Sequence, residues 1–227
     1  MHFIRVRIAV EGTEKEFDMA KKLCAVLLLV TALGFGLWAQ AVTFAIGNAN
    51  IQLPAPAGAG PKLGTDDMAN VAIFAESPIT LRAMYGTRDA LMNMGNEDAI
   101  TTFPEQAYIA FTVDELDAYD FDQDSLGEIG AQMGPGIAQG MGNVPPDKLD
   151  GFIVLGEAFK TNYCTAYSIL VKDKADPSPQ VGTICVMLAK GKVLMLFSVM
   201  NYKDNLSINN VERNLRNWAR EIYRANI

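Results

Sequence analysis

The sequence predicts an α+β fold, a mainly antiparallel β-sheet packed by helices with a C-terminal amphipathic helix on the sheet. Three observations carry this reading. Four apolar, β-rich runs follow one another from Gly151 onward with only short connections between them. Val42 to Ile46 and Ala49 to Leu53 flank Gly47-Asn48, the pattern of a short hairpin. In the last segment Val211, Leu215, Trp218 and Ile222 fall at i, i+4, i+7 and i+11, one face of a helix.

In chain order, residues 19–41 read as an address. The basic Met19-Ala20-Lys21-Lys22 precedes the apolar run Leu23 to Trp38, and Ala39-Gln40-Ala41 supplies the small residues of a cleavage site. The run is shorter than the roughly 20 apolar residues that span a bilayer. Cleavage is therefore expected after Ala41, and the membrane is touched only through this segment if it stays uncut. Residues 1–18 would then precede the signal as an upstream extension that is not translated, with Met19 as the start. The domain expected to do the work is the single unit 42–227.

Its composition bounds its chemistry. The chain is 50% hydrophobic and 20% charged, which suits a packed core and excludes disorder. The net charge of −7 disfavours a nucleic-acid partner, because affinity for a phosphate backbone comes from clustered Lys and Arg. The one histidine, His2, lies in the upstream extension. The mature chain thus lacks the commonest general base and transition-metal ligand, and the serines lack a G-x-S-x-G elbow. No catalytic residues are assigned.

After the hairpin, Pro54 to Pro61 breaks the pattern. Asn70 to Ala75 reads as a strand. Pro78 to Met94, with Leu81, Met84, Tyr85, Leu91 and Met92, reads as a helix, and Ala107 to Val113 as a buried strand. Phe152 to Phe159, Tyr163 to Lys172, Gln180 to Ala189 and Val193 to Tyr202 form a meander, with Lys190-Gly191-Lys192 as a tight turn. Ser207 is the expected cap of the closing helix. Arg213, Arg216, Arg220 and Arg224 fall mainly off its apolar stripe, as on a solvated face.

Two clusters are candidates for chemistry. Asp120, Asp122 and Asp124 match the first three ligands of a calcium loop, although Ser125 stands at the turn position and Ala131 at the closing one. Calcium is the only cofactor this suggests. The competing reading is a helix N-terminus, with Ser125 and Glu128 as a capping box. Cys164 and Cys185 lie in neighbouring strands, and folding these as a hairpin puts the two cysteines roughly opposite. A disulfide is expected there, worth about 3 kcal/mol in the chain-entropy model. The glycine-rich stretch 127–142 reads as a flexible loop, or as a helix broken at Pro135. The methionines lie mostly in apolar runs and read as core filling.

The ending, from Gly191-Lys192-Val193-Leu194 through Asn217-Trp218-Ala219-Arg220 to Asn226, is similar to that of many uncharacterised bacterial exported proteins, as is the proline-bounded start Ile51-Gln52-Leu53-Pro54-Ala55-Pro56. The order of elements resembles the Mog1/PsbP-type α+β fold, which implies a curved antiparallel sheet packed by helices and carries no catalytic residues across. The functional expectation is a non-enzymatic binding or interaction module in the periplasm or cell envelope, whose partner is a protein or small ligand. The alternatives are a histidine-free hydrolase using carboxylates and a calcium-stabilised module.

Overall fold

The structure, a computed structural model, describes residues 41–59, 79–86, 106–141, 149–173 and 178–227. Strands β1 (Val42–Ile46) and β2 (Ala49–Leu53) form a separate hairpin. β3 (Ile79–Gly86) and β4 (Ala107–Val113) lead through a short 3-10 turn, Asp114–Leu116, to helix α1 (Gln123–Met141). Then come β5 (Leu149–Lys160), β6 (Cys164–Asp173), β7 (Gln180–Ala189), β8 (Lys192–Asn201) and helix α2 (Asn205–Ala225). β3 to β8 make one six-stranded sheet in the order β3-β4-β8-β7-β6-β5, with every neighbour pair antiparallel. The fold class is therefore the expected one.

Helices cover both faces of the sheet. On one face Ile137 and Met133 of α1 pack with Ile109, Phe111, Ile169, Ile184 and Phe197. On the other, Leu215, Trp218, Ala219 and Ile222 of α2 pack with Tyr85, Tyr108, Ala110, Ala166, Met187 and Leu196. Double coverage explains why β4 alternates poorly in sequence: Ala107, Ile109 and Phe111 face α1 while Tyr108 and Ala110 face α2.

Trp218 anchors the α2 side. It is 2% exposed, meets the rings of Tyr85 and Tyr108 edge-on at 6.0 and 5.6 Å, and its indole N–H donates to the Pro54 carbonyl at 2.7 Å. Burial pushes both phenols up to about 12. Asn226 fastens the β1–β2 hairpin, accepting from the Gln52 amide at 2.9 Å and donating to its carbonyl at 2.7 Å. The start of α2 is set by Asp204, not Ser207: the Asp204 side chain accepts from the Leu206 and Ser207 amides, and Ser207 returns the contact as the third helical residue.

Two other readings change. Residues 79–86 form a strand where a helix is expected, because a register shift between Leu81 and Ala83 leaves Arg82 as an extra residue. That bulge breaks the two-residue period and puts Leu81 and Met84 on one face at a helix-like spacing, while Tyr85 turns to the other. Residues 87–94, and the strand expected at 70–75, lie outside the described residues.

The glycine-rich segment is neither loop nor broken helix. It continues through Pro135, whose missing N–H falls on the exposed side, where water can reach the orphaned carbonyl. Its glycines are packing surfaces: a Cβ on Gly130 would lie 2.9 Å from the Thr165 hydroxyl, and one on Gly134 would lie 2.7 Å from the Tyr167 ring. Gly136 has open space. Gly136→Ala should therefore raise stability by about 0.5 to 1 kcal/mol through helix propensity. Gly134→Ala should lower it, because overpacking of about 1 to 3 kcal/mol exceeds that gain. Urea denaturation of the two variants checks the opposite signs.

Candidate functional site: a polar groove beside the first helix

The first turns of α1 and the β5–β6 connection enclose an open groove of about 580 Å³. Gln123, Asp124, Leu126, Gly127, Glu128 and Ala131 form its helical wall, and Lys160, Thr161, Asn162 and Thr165 form the other. The groove is this narrow at its base because Gly130 lets α1 settle onto Thr165. Asp124 and Glu128 put negative charge on one wall, while Lys160 puts positive charge on the other.

Thr161 is committed to the turn, since its hydroxyl oxygen accepts from the Tyr163 and Cys164 amides at 3.2 and 3.0 Å. Thr165 is different. It is 2% exposed, and its Oγ1 has no hydrogen-bond partner. A buried hydroxyl left unmatched costs about 1 to 3 kcal/mol, a cost relieved by a polar group that reaches it once the Gly130 turn of α1 gives way.

The three aspartates of the acidic stretch have separate tasks. Asp122 caps α1, with Oδ1 accepting from the Ser125 amide at 2.8 Å and the Ser125 hydroxyl at 2.7 Å. These bonds hold its carboxyl below the usual range. Ser125 is thus the capped residue and not the cap. Asp124 lines the groove. Asp120 pairs at 2.9 Å with Lys192, which is 2% exposed and donates also to the carbonyls of Asp117 at 3.1 Å and Tyr119 at 3.0 Å. A lysine ammonium thus engages Asp120, apart from the contacts of Asp122 and Asp124. Among the described residues no three acidic, cysteine or histidine side chains converge as a metal site.

Beside this loop, Asp117 accepts from Arg82 at 3.1 Å through one oxygen, while its other oxygen is buried without a partner. Burial raises its carboxyl, against the opposing pull of the Arg82 guanidinium. Gly47 closes over the same spot: a Cβ there would collide with the Asp117 carbonyl, and its φ of +55° already favours glycine.

The cysteines depart from the expected register. Cys185 stands opposite Ala166, and Cys164 opposite Met187, so the two are diagonal neighbours. Both are buried free thiols. Diagonal positions in an antiparallel pair lie roughly 7 to 8 Å apart, beyond the usual Cα span of a disulfide. Hydrogen bonds from Cys185 and Thr161 lower the Cys164 thiol, whereas burial pushes Cys185 well up.

Sequence reasoning missed Lys192 and Thr165. A lysine opening an otherwise apolar strand was the available signal for the first; nothing local marked the second.

Two predictions follow from this geometry. Lys192→Met should cost about 3 kcal/mol, since it strands two carbonyls and releases the loop. Asp120→Asn should cost less than about 1 kcal/mol, because Asp120 is 72% exposed. Equal losses in urea denaturation would sink the idea that the ammonium organises the loop. Iodoacetamide without reductant should modify neither buried thiol in the native protein and both after unfolding, read by intact mass.

No protein-family profile matches the chain, and no curated protein sequence matches it. Among solved structures it is similar to the Ran-binding protein Mog1p of Saccharomyces cerevisiae, at 10% identity and a TM-score of 0.39, over 82% of this chain and 94% of that one.

Proposed function

We propose that this chain is an exported cell-envelope module that binds without catalysing, and that the groove between α1 and the β5–β6 turn is its recognition site. The observation that carries the reading is the buried, unpartnered Thr165 hydroxyl at the groove wall, with acidic groups on one side and a lysine on the other. Such a site fits a small polar ligand bearing both charge signs, or a polar segment of a protein. Export is supported by the n-region, apolar run and A-x-A order of residues 19–41. The absence of histidine after His2 supports recognition over acid–base chemistry, and the caps and ion pairs that engage Asp120 and Asp122 draw those carboxylates away from catalysis.

Thr165→Val separates a ligand site from plain core. It should stabilise the unliganded protein by up to about 1 kcal/mol by removing the orphan hydroxyl, and weaken ligand binding tenfold or more. The check is a native mass spectrum of protein recovered from the envelope of cells expressing the full gene. A species beginning at Val42, with an adduct that the valine variant loses, supports the proposal. A species retaining Met19 to Ala41 would make the chain membrane-anchored. Turnover on an ester, glycan or peptide panel would overturn the non-catalytic reading in favour of a carboxylate hydrolase. A higher melting temperature in calcium than in chelator would support the calcium-stabilised module.

A further inference from the structure

The outward face of α2 carries the most concentrated positive charge among the described residues. Arg213, Arg216, Arg220 and Arg224 are all exposed. At 100° per residue they fall within an arc of about 80°, along roughly 17 Å of helix. Little opposes them. Arg213 donates to the Asn210 side chain at 2.7 Å and Arg220 to that of Asn217 at 3.2 Å, both neutral partners. Arg216 lies over the Phe159 ring at 4.8 Å and donates to the Ala158 carbonyl at 3.5 Å. The flanking carboxylate is Glu221, itself half exposed, 3.3 Å from Arg224 and 3.7 Å from Arg220. The other α2 glutamate, Glu212, accepts from the Ser168 hydroxyl at 2.8 Å beneath the helix.

We propose that this ridge docks the protein on an anionic lipid surface. Guanidinium groups held through one terminal nitrogen still have N–H donors to spare, and phosphate oxygens are their natural acceptors. The same arc begins with Leu206, an apolar side chain left 66% exposed, which suits the boundary between headgroups and acyl chains. The arginines form one band along a single helix face, which a continuous layer of lipid phosphates can meet along its whole length. On a chain of net charge −7 the ridge is also an orienting device. Asp124 and Glu128 belong to α1, on the opposite face of the sheet, so repulsion from the same lipid turns the groove toward solvent.

The test uses the protein recovered from the envelope of cells expressing the full gene, in co-sedimentation with phosphatidylcholine vesicles and with vesicles in which a third of the lipid is phosphatidylglycerol. Wild type should partition to the anionic vesicles at low salt and leave them at high salt. Replacing all four arginines by glutamine should lower that partition by about 10²-fold or more, roughly fivefold for each charge. The melting temperature should fall by no more than the loss of the Arg216 contacts with Phe159 and Ala158 allows, and Arg216→Gln alone measures that fall. Replacement by lysine should keep partition within a few-fold, since a lipid surface reads charge. Leu206→Ser should weaken it further. The proposal fails if wild type binds both vesicles alike, or if the glutamine variant binds as well as wild type. It fails also if high salt leaves wild type on the anionic vesicles, since a contact made by surface charge must be released by screening.

Discussion

The buried ammonium of Lys192 is the constraint around which this chain is arranged. Lys192 opens β8 directly after the two-residue turn of the central hairpin, where Lys190 and Gly191 both have positive φ. Taking an ammonium out of water costs several kcal/mol, and here the cost is offset by one carboxylate and two carbonyls supplied from residues 117–120. The Phe121 amide adds a bond to the Gly191 carbonyl at 2.8 Å. Together these tie the connection leaving β4 to the far end of β7 and β8. They also fix where the next residue, Asp122, can cap α1.

Everything about the groove follows from that placement. Once α1 starts at the hairpin turn, its glycine side lies across β6, and Gly130 and Gly134 bring it within contact of Thr165 and Tyr167. A helix with side chains at those two positions would stand further off, widening the groove and uncovering the Thr165 hydroxyl. Close approach therefore creates the desolvated polar atom. The polar rim depends on the same geometry, because Asp124 and Glu128 belong to the turns that the cap positions.

The two helices divide the labour. α2 closes the larger aromatic core through Trp218 and secures the β1–β2 hairpin through Asn226 and the Pro54 carbonyl. Its buried stripe is wholly committed to packing, which leaves the arginine arc as its outward chemistry. α1 contributes a thinner apolar stripe and an acidic N-terminal end. A sheet covered on both faces keeps those two chemistries apart.

How much of this was legible depended on whether the signal was local. The hairpin at Gly47-Asn48, the four-strand meander and the stripe Val211, Leu215, Trp218 and Ile222 were readable because strand alternation, turn chemistry and helical spacing are written in neighbouring residues. β3 was misread because the Arg82 bulge disturbs its period, and the cap of α2 was displaced by three residues because Asp204 and Ser207 both suit a capping box. The cysteine register and the environment of Thr165 were beyond reach, since each depends on how separate segments align. The sequence by itself determined the fold class, the acidic balance and the chemistry of a chain whose lone histidine lies near its start, because composition and short-range pattern are properties of the chain. Only the tertiary structure decided that Lys192 is buried against Asp120 and two carbonyls, that the cysteines stand diagonally as free thiols, and that a glycine-lined helix leaves one hydroxyl without a partner. Those outcomes rest on contacts between residues tens of positions apart, where burial and register, and not local preference, set the energy.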